Sequence, residues 1–173
     1  MVRNDFGGIK MTRIFNISGK WNNDFTTEVF YKQNIWKGKL IVTDSGQARG
    51  LINFPYRKFG KQRYVEGIFE DSILEFMQYS LKAPEAIISY KCVKKGDEFV
   101  GFVEKDAEEN NITGRCSILM QELVDFPTES LKGFESTMDI YHRRCVGDEP
   151  LTSENIPEDL LILSHTYLSP AED

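Results

Sequence analysis

Apolar and polar residues alternate with a period of two, segment after segment, from Ile14 to Val124. Period two places successive side chains on opposite faces of a pleated strand, so each such segment predicts a strand with one face for a core. The pattern is densest from Arg63 to Leu81. There Val65, Gly67 and Phe69 fall on one face, and beyond a Glu70-Asp71-Ser72 turn Leu74 and Phe76 oppose Ile73, Met77 and Tyr79. Aromatic and β-branched content favours strands over a helix, and the stretch predicts a hairpin. The same reading gives strands over Met11–Ile17, Phe25–Lys32, Ile35–Thr43, Gln47–Phe54, Ala86–Val93, Glu98–Lys105 and Ile112–Val124. Asp44-Ser45-Gly46 and Lys94-Lys95-Gly96-Asp97 are the clearest turns between them. Eight to nine strands joined mostly by short turns describe an all-β, antiparallel up-and-down meander.

Glycine decides between a barrel and a sandwich. Gly38, Gly50, Gly67, Gly101 and Gly114 each lie inside a strand pattern. Glycine weakens a strand interior, so its repeated use marks bends where a sheet curls, or places where a ring packs over bare backbone. A closed barrel needs such bends more than a flat sandwich does. From Phe126 the period changes to that of a helix, with Leu131, Phe134, Met138 and Tyr141 on one stripe, Thr128 as N-cap and Arg143 and Arg144 in the last turn. A second short helix is predicted from Pro157 to His165. The expected organisation is a leader at 1–10 without periodic pattern, a barrel at 11–125, and a helical C-terminal extension at 126–173 packed on the barrel.

Composition narrows the function classes. At 40% hydrophobic and 12% aromatic residues, 173 residues are enough for one domain with a sizeable core. A net charge of −6 argues against nucleic acid or anionic membranes as partners. The sequence shows neither a signal-peptide pattern nor an apolar run of the roughly 20 residues a spanning helix needs. Cys92, Cys116 and Cys145 are odd in number and lack the close pairs of a zinc or redox motif, which fits reduced, packed thiols and a cytoplasmic setting.

Catalytic chemistry is sparse. The two histidines, His142 and His165, lie in the C-terminal extension, and His142 with Cys145 supplies only two metal donors. No nucleophile elbow, phosphate loop or zinc-protease motif is present, so neither catalytic residues nor a cofactor are expected. Glu66 and Glu75 can approach each other across the hairpin, where an inward carboxylate would be a catalytic or ligand-orienting group, whereas alternation more often places such residues outside. The loop Tyr56-Arg57-Lys58-Phe59-Gly60-Lys61 interleaves cations with aromatic rings, as a solvated turn or as a cationic lip for an anionic ligand.

Gly19-Lys20-Trp21, ahead of a long antiparallel meander, resembles the Gly-x-Trp opening of the calycin superfamily: lipocalins, fatty-acid-binding proteins and avidins. Ile17-Ser18-Gly19-Lys20-Trp21-Asn22-Asn23-Asp24 is similar to the avidin opening in particular. The resemblance implies that Trp21 seals one barrel end and that Arg115, in Thr113-Gly114-Arg115-Cys116, packs across it. It does not extend to the biotin contacts of avidins, which have no counterparts here. Two functions follow as expectations. One is a non-catalytic binding protein holding a small hydrophobic or anionic ligand, with Tyr64, Glu66, Phe76, Tyr90 and Arg115 facing it. The other is a protein-interaction module with a side-chain-filled barrel and a partner met through the C-terminal extension.

Overall fold

The computed structural model describes residues 12–24, 26–27, 29–58, 61–80, 87–106 and 111–147. Eight strands form one closed antiparallel barrel. They are β1 (Arg13–Trp21), β2 (Ile35–Val42), β3 (Gln47–Asn53), β4 (Gln62–Glu70), β5 (Ile73–Ser80), β6 (Ile87–Lys95), β7 (Glu98–Asp106) and β8 (Asn111–Leu123). Each pairs with the next, and β8 returns to β1, where Ile14 faces Leu123 and Trp21 faces Cys116. Closure removes the free strand edges that an open sheet would expose.

Alternation then fixes the interior. Phe15, Ile17 and Trp21 of β1 point inward with Trp36, Leu40 and Val42 of β2, and the register carries this set around the ring. One rung runs Gly67, Phe76, Tyr90, Val103, Gly114; the next towards the turn end runs Leu74, Cys92, Gly101, Cys116, Trp21. The buried residues of this interior cluster are 0–7% exposed, so the barrel is filled by its own side chains.

The strand glycines are what allow the ring to close. A Cβ on Gly38 would lie 2.0 Å from the Leu51 carbonyl oxygen, and one on Gly50 would lie 2.1 Å from that of Lys39. At these positions, opposite Ile52 and Leu40, the strands curl so sharply that a Cβ would strike the adjoining backbone. Gly19 serves the other purpose: its Cβ would fall 2.3 Å from the Trp36 ring, which lies over the bare backbone.

One predicted strand is absent. Among the described residues of 25–32, none is in a strand, and a 3-10 turn occupies Lys32–Asn34. The cause is Asn22, which is buried and organises the segment locally. Its side-chain amide donates to the carbonyls of Thr27 (3.0 Å) and Val29 (3.1 Å), drawing the chain into a loop instead of a ladder.

The helix α1 (Thr128–Cys145) lies on the barrel wall against β3 and β4. Leu131, Phe134, Met138 and Tyr141 pack onto Ile14, Ile41, Leu51, Tyr64 and Tyr79, the outward apolar residues of β1 to β5. The predicted cap needs correction. Thr128 is the first helical residue, the N-cap is Pro127, and the Leu131 N–H donates to the Pro127 carbonyl at 3.0 Å without a side-chain cap. Proline suits that place because its fixed φ feeds the first turn. At the other end Val146 and Gly147 both donate to the His142 carbonyl, closing the helix. The predicted leader at 1–10 and second helix at Pro157–His165 lie outside the described residues. No described helix is long and apolar enough to cross a membrane.

Candidate functional site

The two barrel ends differ. At one, β2–β3, β4–β5 and β6–β7 are joined by tight turns, with Gly46 and Gly96 at positive φ (89° and 65°). At the other the connections are longer, spanning 22–34 and 54–61 among others. Asn22 ties the first of these to β8: its N–H donates to the Arg115 carbonyl (3.0 Å) and its side-chain oxygen accepts from the Arg115 N–H (2.8 Å).

Beneath these loops stands an aromatic group with few polar atoms. Phe76 and Tyr90 stack at 4.6 Å, and Trp36 meets both edge-on at 6.2 and 6.0 Å. The Tyr90 hydroxyl donates to Gln78 Oε1 at 2.7 Å inside the barrel, and burial raises its pKa well above the usual phenol value. The indole N–H groups of Trp21 and Trp36 and the Asn53 amide nitrogen are buried without a hydrogen-bond partner. A buried donor left unmade costs about 1–3 kcal/mol, so three at one end of a small barrel call for a reason.

Two guanidiniums pack on Phe54, a member of the same interior cluster. Arg57 Cζ lies 3.9 Å from the Phe54 ring centroid and Arg63 Cζ 5.8 Å from the same ring. Arg57 donates to the Gln33 carbonyl (2.8 Å) and to Asn34 Oδ1 (3.3 Å), both neutral acceptors. Partial burial lowers the pKa of each arginine, and Arg63 lowers that of Arg57 further by repulsion. Lys32 Nζ stands 4.6 Å from the Tyr56 ring centroid. The loop read as a solvated turn or a cationic lip therefore presents Arg57 to the barrel mouth.

The residues expected to face a ligand do not share one space. Phe76 and Tyr90 are inside, beneath the mouth. Tyr64 and Glu66 are outside, under α1: the Tyr64 hydroxyl donates to Glu66 Oε1 at 2.6 Å, the same oxygen contacts His142 Nδ1, and the Tyr64 ring stacks on Tyr141. Arg49 and Asp139 pair nearby at 2.7 Å. This group fastens the helix to the wall. Glu75 pairs with Ile68 in the ladder, also on the outer face. Arg115 lies on the outer face too, because the register puts Cys116 opposite Trp21; its backbone holds Asn22, and its side chain lines an open groove with Phe102 and Lys20. Among the described residues no group of three or more His, Cys, Asp or Glu is placed to hold a metal.

No protein-family model matches the chain, and no curated protein matches it.

Three residues of the mouth were not singled out in the sequence: Trp36, Gln78 and Arg63. The signal for Trp36 was present, since within the strand it shares parity with Gly38, Leu40 and Val42, all buried. Arg63 and Gln78 are polar residues on apolar faces, and nothing local marks such residues as facing inward.

The buried acids of this fold set its behaviour at high pH. Burial pushes the Cys145 thiol from the ordinary 9.0 up to about 11, and burial together with Glu66 holds the Tyr64 hydroxyl protonated far beyond its normal range. Between pH 9 and pH 11 the unfolded chain releases protons that the folded chain keeps, so stability is present below the unfolded values and falls as pH rises. The unfolding free energy from urea titrations should fall by roughly 3–4 kcal/mol across that window, at about 1.4 kcal/mol per unit of pKa shift. A Cys145→Ser variant should flatten the early part of the decline.

Proposed function

We propose that this is a non-catalytic binding protein that takes a small anionic ligand with an apolar body at the long-loop end of its barrel. The observation that carries the reading is the pair Arg57 and Arg63 packed on Phe54 above Trp36, Phe76 and Tyr90. Two partly buried guanidiniums gain from an anion, because a charge-assisted bond to either is stronger than the neutral contacts that Arg57 now makes. The rings below back this rim with an apolar layer. The reading extends the calycin resemblance, with one difference: a filled interior moves the ligand from the cup to its rim. A cytoplasmic setting fits the three free thiols, Cys92, Cys116 and Cys145.

Fluorescence titration with anilinonaphthalene sulfonate and its neutral analogue phenylnaphthylamine tests this. Arg57→Gln and Arg63→Gln should each weaken the anionic probe by about 10- to 100-fold, from about 1.5–3 kcal/mol per charged bond. The neutral probe should change by less than about threefold, within the spread of ordinary surface substitutions. Equal losses for both probes would remove the arginines from the reading.

The filled interior also favours a second reading, a protein-interaction module. Exposed Phe102 and Val93 on the wall left bare by α1 give it a specific surface.

A further inference from the structure

α1 covers the outer face of β3 and β4, whereas β6 to β8 present a different outer surface. There an open groove of about 690 Å³ is lined by Lys20, Phe30, Lys91, Val93, Phe102 and Arg115 among others. Val93 is 58% exposed and Phe102, diagonal to it across the β6–β7 ladder, 54%, high for large apolar residues on one sheet face. Lys20 Nζ stands 4.8 Å from the Phe30 ring centroid, at the β1 edge of the same groove. The surface is therefore apolar at its centre with three cations around it; its acids are Glu98, which accepts from Ser117, Glu104, and at its β5 edge Glu75, opposite Lys91.

The charge distribution along the chain points to an occupant. Of the 27 acidic residues seven lie in residues 148–173, which contain no Lys or Arg. The remaining 20 acids face all 21 Lys and Arg, so the rest of the chain is close to neutral and its acidity is concentrated in the C-terminal segment. That segment also carries the one strongly apolar run near the C-terminus, Leu160-Leu161-Ile162-Leu163, directly after Glu158-Asp159. Acid beside aliphatic is the complement of a groove with cations beside Phe102 and Val93.

We propose that the groove on β6 to β8 is the docking site for the chain's own residues 148–173, with the Leu160–Leu163 run against Phe102 and Val93 and its acids towards Lys20, Lys91 and Arg115. Reach is no obstacle. Strands are spaced about 4.8 Å apart, so the groove is some 10–20 Å around the barrel from β4, where α1 ends. A segment of this length can extend several times that far, at about 3.3 Å per residue. Docking in cis loses less entropy than recruiting a separate partner, because the tether supplies a high effective concentration.

Zero-length carbodiimide coupling of the full chain, read by mass spectrometry on a mixture of isotopically light and heavy protein, tests the proposal. The expected products join Lys91 or Lys20 to Glu154, Glu158 or Asp159 within single chains. They should fall at least tenfold in Phe102→Glu/Arg115→Glu, and again in Leu160→Ser/Leu163→Ser, which leaves the barrel untouched. Circular dichroism of both variants should match that of the parent. Absence of these products overturns the proposal, as does their persistence in folded variants. Mixed light–heavy products would overturn it in favour of a second copy of the chain as occupant.

Discussion

Trp36→Ala is expected to lower the unfolding free energy by about 3–5 kcal/mol, read from urea denaturation followed by circular dichroism. Trp36 is fully buried and touches both Phe76 and Tyr90, and its ring covers the backbone at Gly19. Removing it opens a large void that the surrounding strands cannot collapse around, because a closed barrel has no loose edge to shift. Two edge-on aromatic contacts go with it, each worth about 0.5–1.5 kcal/mol beyond simple burial. Trp36→Phe should recover most of the loss, since it restores the ring contacts. The anionic probe should bind at least tenfold less well to a folded Trp36→Ala protein, as the apolar floor of the mouth is gone.

Gly38→Val is expected to be comparably damaging, costing about 3 kcal/mol or more and lowering the yield of folded protein. The new side chain would meet the Leu51 carbonyl at 2.0 Å and the Ile52 Cα at 2.7 Å. Both are backbone atoms of β3, and they cannot move without breaking the β2–β3 ladder between Lys37 and Val42. A control at Gly96 separates this from a general intolerance of glycine replacement. A Cβ there meets nothing within 4 Å, but the residue holds φ +65°, so Gly96→Asn should be mild whereas Gly96→Val is strained.

These two positions show what the sequence made readable. Gly38 stood inside an alternating segment with no local reason to be glycine, and the inference of a curled, closed sheet rested on that. The structure supplies the reason in the approach of Leu51. Alternation of the hairpin strands likewise placed Phe76 inside, and helical spacing gave α1 with its four core residues. The segment at 25–32 was misread because Phe25, Val29 and Phe30 mimic a strand in composition. What defeats the ladder is a single buried amide, Asn22, whose bonds to Thr27 and Val29 depend on β8 lying alongside. The mouth was only partly legible for the same kind of reason. Arg57 drew attention by its aromatic neighbours, but its meeting with Arg63 on Phe54 is a contact between a loop and the first rung of β4. Tyr64 and Glu66 looked like ligand contacts because a polar pair on a core hairpin has two explanations in sequence. Their bonding beneath α1 supplies the second of these, helix attachment.

The two tryptophans of the chain, Trp21 and Trp36, make the central claim directly observable, because an amide-correlation NMR spectrum of the labelled protein contains two indole N–H signals. On titration with anilinonaphthalene sulfonate the Trp36 signal and the side-chain signals of Arg57 and Arg63 should move together and saturate at one equivalent, with the outer-face amides of β6 to β8 unchanged. Movement confined to those outer-face amides, or saturation without any change at Trp36, would contradict a binding site at the barrel mouth.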